Sequence, residues 1–229
     1  MKIKLALFVI CLITSVGFSQ TQEIRDQPLD QVAYLVNSKN PKYESVEGSP
    51  YLNVAFLPAK INGSKQTKLV RFNVVDNAIE VMIDSTKVLI LKKSDSNTIK
   101  LLDGSNKEYQ SLSYKNDAGS NDKSFFELVH SRNNYRLYLK ERIKYIESVK
   151  NKSPYQEDSS AKFLKVRDVF YITNFLSSSP DLIEIPKKKK QFINLFKDRS
   201  LGIQKFIKKE KLDHEDMNDL VEIFDYYFG

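Results

Sequence analysis

The sequence predicts an α+β fold: a curved antiparallel β meander followed by a C-terminal cluster of short helices. Three observations predict it. Apolar residues recur with period two from Tyr51 onward, turn dipeptides that tolerate positive φ separate the runs, and the period becomes helical after Pro180.

The alternation is clearest in KLVRFNVV, where Val70, Phe72 and Val74 point one way and Arg71 and Asn73 the other. After Asp76-Asn77, IEVMI places Ile79, Val81 and Ile83 on one face. Such strands are buried on one side and usually antiparallel. Asn62-Gly63, Asp76-Asn77, Asp103-Gly104 and Asn133-Asn134 supply the tight turns. Further strands are expected at VLILK, TIKLLD, KEYQSLSY, SFFELVHS, NYRLYLKERIKYI and FLKVRDVFYI, giving about seven to ten in all. Leu29, Val32 and Leu35 predict a short helix in the polar segment 20–48, and KNDAGSNDKS (115–124) and VKNKSPYQEDSSA (149–161) predict mobile loops.

Beyond Pro180, three apolar sets fall at helical spacing: Phe192, Leu195 and Phe196; Ile203, Phe206 and Ile207; then Met217, Leu220, Val221, Phe224 and Phe228. Ser200 and Asp213 are placed to cap the second and third segments, with Asp216 three residues beyond Asp213 in a box-like arrangement. The organisation expected is therefore a leader at 1–19, a polar segment at 20–48, an antiparallel β domain at 49–179, and a helical segment at 180–229 packed on the sheet.

The leader reads MKIKLALFVICLITSVGFS. Lys2 and Lys4 form a cationic head, residues 5–14 an apolar run, and Gly17 and Ser19 occupy the small-residue positions before a cut at Ser19-Gln20. The run from Leu5 to Phe18 is interrupted by Thr14, Ser15 and Gly17, and it is shorter than the ~20 apolar residues of a spanning helix. Cys11 lies inside the apolar run, which disfavours lipidation. The expectation is export to the periplasm, the outer membrane or the medium. Removing 19 of 229 residues leaves 210, enough for a self-sufficient core, and removes the single cysteine. From 36 basic and 29 acidic residues, losing Lys2 and Lys4 leaves a net charge of +5.

IPKKKKQFINLFKDRS, at 185–200, raises the question of an anion grip. Ten Lys or Arg and two acidic residues lie between Lys187 and Lys211, a local charge of +8. Six acidic residues without a single Lys or Arg follow from Asp213 to Asp225. The expected arrangement is a solvated face neutralised by those carboxylates. Contact of Lys187, Lys188, Lys189 and Lys190 with an anionic surface is the alternative, with membrane contact at most peripheral. No nucleic-acid partner is expected: no recognition motif is present, and the phenylalanines fall on the stripe the helices must bury.

Chemistry-bearing motifs are sparse. The sequence holds no G-x-S-x-G, no S-x-x-K set, no H-E-x-x-H and no Gly-rich phosphate loop. Loss of Cys11 excludes Cys–His catalysis. His130 reads as a satisfied, half-buried strand histidine. His214, among Asp213, Glu215 and Asp216, reads as part of a helix start rather than a metal site, because adjacent residues on one turn diverge. Residues 116–122 lack the order of a calcium loop. No catalytic, cofactor-binding or metal-binding residue is assigned, and no cofactor is expected. Carboxylates from separate strands can still converge, so a hydrolase stays open.

GSPYLNVAFLPAKI at 48–61, followed by VRFNVVDNAIEVMID, resembles the opening of a group of exported proteins of Bacteroidota in which Ser-Pro-Tyr-Leu leads into a β-rich segment. The close, from FLKVRDVFYI through KKKKQFINLFKDRSLGIQKFIKKEKLDHEDMNDLVEIFDYY, is similar to that group's F-I-K-K element, spacer and terminal Tyr-Tyr. The resemblance spans most of residues 48–228 and implies an exported bacterial protein; it carries no activity and no site residues. The function expected is a non-catalytic binding or envelope-accessory module with an apolar ligand or an envelope protein as partner. The alternatives are a small carboxylate-based hydrolase and a binder of anionic membrane surfaces through Lys187–Lys190.

Overall fold

In the computed structural model, residues 33–37, 41–94, 97–116, 118–132, 135–149, 158–174 and 182–229 are described. The predicted leader with its Ser19-Gln20 cut, the Asn133-Asn134 turn and most of the 149–161 loop lie outside them. Among the described residues, no helix is long and apolar enough to cross a membrane.

The first half of the sheet is built from β1 (Ala33–Asn37), β2 (Leu57–Ile61), β3 (Lys68–Asn73), β4 (Ala78–Met82), β5 (Lys87–Leu91) and β6 (Thr98–Leu101). The second half comprises β7 (Glu108–Lys115), β8 (Asn121–Ser131), β9 (Tyr135–Lys140), β12 (Val169–Asn174) and β13 (Leu182–Glu184). Together they form one 11-stranded sheet in the order β1-β5-β4-β3-β2-β6-β7-β8-β9-β12-β13, while β10 (Ile143–Ile146) and β11 (Lys162–Lys165) make a separate antiparallel pair. The predicted turns at Asn62-Gly63, Asp76-Asn77 and Asp103-Gly104 are in place. Asn62 and Gly63 have φ of 52° and 70°, Asn77 46°, and Gly104 91°, all in the left-handed region such turns need.

The strand total exceeds the seven to ten expected in part because β13, paired with β12, occupies the start of the segment from 180 onward expected to be helical, and otherwise for two reasons. Residues Ala33–Asn37, where Leu35 contributes to a predicted helix, form a strand paired with β5 (Leu35 opposite Leu89); Leu29 and Val32 lie outside the described residues. Two β-branched or aromatic neighbours, Tyr34 and Val36, favour that pairing over a lone helical turn. The second reason is a break in each of two long predicted strands. NYRLYLKERIKYI divides into β9 and β10 at Glu141-Arg142, and FLKVRDVFYI divides into β11 and β12 at Val166–Asp168.

Both breaks belong to one event. Lys140 pairs with Val169 and Ile143 with Lys165, so two residues on one strand face three on the other. That is a β-bulge, and it bends the long hairpin. The Asp168 carboxylate accepts the Arg142 backbone N–H at 2.9 Å, and Val166 N–H donates to Arg142 O at 3.1 Å, so both backbone groups of Arg142 are satisfied at the bend.

Cross-strand partners share a face, and they show that the sheet curls in opposite senses in its two halves. On one face, Ala59, Ile61, Val70, Phe72, Ile79, Val81, Leu91, Ile99, Leu101, Tyr109 and Phe125 form a single buried cluster. Phe72 of β3 meets Tyr109 of β7 with ring centroids 5.2 Å apart, which a flat sheet would not allow. The β3–β4 turn closes this curl: Asn77 donates to Ser124 Oγ at 2.6 Å and accepts from Phe125 N–H at 2.9 Å. On the opposite face, Phe126, Tyr138, Val169 and Tyr171 form the interior of the second curl. There β13 comes back against β7.

The outer face of β3 and β4 is not left to solvent, contrary to the one-sided burial that the alternation predicts. Arg71 pairs with Glu80 at 2.6 Å, and the rings of Tyr51 and Phe56 lie over its guanidinium at 3.7 and 4.4 Å.

The helices are α1 (Lys189–Asn194), α2 (Ser200–Glu210) and α3 (Met217–Phe228), with a 3-10 turn at Lys197–Arg199. Their apolar stripe of Phe192, Phe196, Ile203, Ile207, Leu220, Ile223 and Phe224 packs on Tyr135, Leu137 and Ile172, the outer face of β9 and β12. The capping expectations are corrected. The N-cap of α2 is Arg199 without a side-chain bond, and Ser200 is already helical. Asp216, not Asp213, caps α3, accepting from Asn218 N–H and Asp219 N–H.

Candidate functional site

The mouth of the second curl holds a cleft of about 300 Å³ lined by Tyr114, Asn116, Ala118, Lys140, Arg142, Val169, Tyr171 and Glu184. Strand geometry explains the gathering. Tyr114, Lys140, Val169, Tyr171 and Glu184 come from four strands of one curled face, each at a position whose side chain points inward. The floor is aromatic: Phe126 meets Tyr114 at 5.4 Å and Tyr171 at 5.1 Å, both edge to face.

Polar groups rim that floor. Lys140 Nζ donates to the Tyr114 hydroxyl, and the Tyr171 hydroxyl donates to Glu184 Oε2 at 3.2 Å. Arg142, whose backbone N–H is held by Asp168 at the bulge, also lines the cleft. The lip is the β7–β8 turn. Instead of the mobile loop expected at 115–124, β7 runs to Lys115 and β8 starts at Asn121, and Asn116 Oδ1 accepts from Ala118 N–H (3.1 Å) and Ser120 N–H (3.0 Å). By contrast, the first curl is filled: the space among Leu57, Phe72, Ile99 and Tyr109 is about 20 Å³.

Behind the bulge lies a second polar group. Glu141, 6 % exposed, accepts from the Tyr109 hydroxyl at 3.0 Å and from Lys107 Nζ at 3.4 Å, while Lys107 reaches Glu127 at 2.7 Å. Burial pushes the Glu141 carboxyl up, and Glu127 adds to the rise against the opposing charge of Lys107. Burial alone would lower the Lys107 ammonium, but its bond to Glu127 and the charges of both carboxylates outweigh that and raise it. The Tyr109 phenol is raised first by burial and then by Glu141.

The sequence-predicted residues fall elsewhere. Lys187, Lys188, Lys189 and Lys190 are all exposed and make no ion pair among the described residues. The expected neutralisation of that run by the following carboxylates is corrected: Asp225 pairs with Arg132 at 3.1 Å and Glu215 with Arg167, both on the sheet side. His130 is half-buried as expected, against the Tyr135 ring at 5.6 Å, but its Nε2 is not satisfied; it lies 3.7 Å from Asp225 Oδ1 without a hydrogen bond. His214 packs on Phe192 at 4.8 Å with Nε2 2.8 Å from Lys187 O. No cluster of three or more His, Cys, Asp or Glu among the described residues is placed to hold a metal ion.

Sequence reasoning missed the cleft because its residues are spread from Tyr114 to Glu184 and no local motif joins them. The one signal was the alternation of aromatic and charged residues in NYRLYLKER, which puts Tyr138 and Lys140 on one face. Compared with family models, with curated proteins and with solved structures, the chain matches none.

Proposed function

We propose that this protein is an exported, non-catalytic binding module that takes a small polar ligand in the cleft at the mouth of the second curl. One observation carries the reading. An aromatic floor is ringed by an ammonium, a guanidinium, a carboxylate and phenols within about 300 Å³, the size and composition of a small-molecule site. An acidic, ring-bearing ligand fits best, its anionic group at Arg142 and its ring against Tyr114.

Two features support binding over the alternatives. Glu184 is the single carboxylate on the cleft wall among the described residues, whereas paired-carboxylate hydrolysis needs two across a substrate. Glu127 and Glu141 do converge, but on Lys107 and with Glu141 buried. The space among Leu57, Phe72, Ile99 and Tyr109 in the first curl, at about 20 Å³, is too small for an apolar cargo.

Calorimetric titration of the chain from Gln20 onward with benzoate, glucuronate and glucose tests the reading. The acidic probes should bind, glucose should bind at least about tenfold more weakly, and Arg142→Ala should lower acidic-probe affinity by about tenfold, the scale of one charge-assisted hydrogen bond. Equal affinity of Arg142→Ala and wild type, or no binding by any probe, refutes it.

A further inference from the structure

We infer that the helical end of the molecule is a docking face for an anionic phospholipid surface, a role separate from the cleft. The first support is the lysine run itself. Lys187–Lys190 are exposed, and none forms an ion pair among the described residues. Of the carboxylates that follow them in sequence, Asp225 and Glu215 pair with Arg132 and Arg167, Asp216 caps α3, and Asp213 and Asp219 accept backbone N–H groups at the start of that helix.

The second is the outward face of α2. Ile203 and Ile207 point into the core, so Leu201, Lys205 and Lys208, at i, i+4 and i+7, share the exposed side. Leu201 is 71 % exposed, the most exposed large apolar side chain described. Lys209, which pairs with Glu210 at 2.7 Å, and Lys211 lie at the end of the helix.

The two sets are brought together by His214. Its ring packs on Phe192 of α1 and its Nε2 meets Lys187 O, so the lysine run is held beside the turn that follows α2. Met217, 40 % exposed, begins α3 just past that turn. This end of the molecule thus exposes ammonium groups from the run and from α2 together with the apolar side chains of Leu201 and Met217. Lysine stems can lie along acyl chains while their heads stay at phosphate level, and exposed leucine enters the boundary between headgroup and hydrocarbon. A nucleic-acid phosphate backbone would use the charges but give Leu201 nothing to enter. Lysines also lack the planar fork that base or bidentate phosphate recognition favours.

Vesicle flotation tests the inference on the chain from Gln20 onward. Wild-type protein should float with mixed phosphatidylglycerol–phosphatidylcholine vesicles, stay behind with phosphatidylcholine alone, and release as salt rises. Replacing Lys187–Lys190 together with glutamine should weaken binding at least about tenfold, because each lysine near an anionic surface contributes severalfold. Leu201→Gln should weaken it by about fivefold without changing the salt dependence. All these side chains are exposed, so the variants should keep the wild-type thermal unfolding profile, and Arg142→Ala should float like wild type whatever happens at the cleft. Flotation with uncharged vesicles, indifference to the lysine replacements, or binding to duplex DNA that matches vesicle binding and ignores Leu201→Gln would each overturn the proposal.

Discussion

At Glu141, burial and charge pull in opposite directions. Two residues past Leu139, on the face that carries Glu127 and Tyr109, this side chain sits at the bulge, where it is 6 % exposed and shares Lys107 with Glu127. Burial dominates, so the folded state holds the Glu141 proton more tightly than the unfolded chain, whose carboxyl titrates near 4.5. The stabilisation linked to that proton is complete below 4.5 and is lost as pH rises through the raised folded value. Glu141→Gln cannot titrate. The unfolding free energy of wild type minus that of Glu141→Gln should therefore fall as pH climbs from 4.5 toward neutrality, then level off. Urea unfolding of both proteins at several pH values measures it; a difference that is constant or rises with pH is the contrary result. None of this was legible in NYRLYLKERIKYI, which reads as one uninterrupted strand. A bulge is set by the partner strand's length, and that partner lies 26 residues downstream, from Arg142 to Asp168.

For the elements, local chemistry was legible wherever partners were near in sequence. The hairpin turns with Asn62-Gly63 and Asp76-Asn77, and the apolar stripes of the three helices, depend on residues within a few positions of one another. The start of α3 shows the limit of such reading. Asp213 and Asp216 are three apart and both are good caps. The structure gives the helix to Asp216, which accepts from Asn218 N–H at 2.8 Å and Asp219 N–H at 3.2 Å. Asp213 instead accepts from Glu215 N–H at 2.9 Å, and its own N–H donates to Asp219 Oδ2 at 2.7 Å. Packing decided between them: starting at Met217 places Leu220, Ile223 and Phe224 inward. Asp216→Ala should cost about 1 kcal/mol in chemical denaturation, and Asp213→Ala less than half of that. The opposite ranking would return the cap to Asp213. Charge pairing was illegible for a related reason. Arg132, just past β8, and Arg167, in the break between β11 and β12, reach Asp225 and Glu215 over distances in sequence that a local tally of charges does not sample.

On the scale of the whole molecule, β8 is the strand that makes one unit of two oppositely curled halves. Its consecutive residues point to opposite faces, and Phe125 enters the first core while Phe126 enters the second; both are fully buried. The Asn77 contacts then fasten the far turn of the first curl to this same strand. The class of fold was legible because period two and its change to helical period are written along the chain. The reversal of curvature was not, because both faces of β8 carry phenylalanine and alternation alone cannot say which neighbours each one meets. Truncating either ring leaves a cavity at the junction and should cost about 3–5 kcal/mol. If β8 couples the halves, Phe125→Ala and Phe126→Ala should each lower the midpoint of a single unfolding transition. Native-state hydrogen exchange should then rise in β3 and β12 together for either variant. Independent halves would behave differently: Phe125→Ala would loosen β3 alone and Phe126→Ala β12 alone, with two separable transitions. Cooperative loss is expected because the cleft wall at Lys140 and Arg142 continues from β9, which pairs directly with β8. Ligand affinity at the cleft should accordingly weaken in Phe125→Ala, although that ring lies on the other side of the sheet.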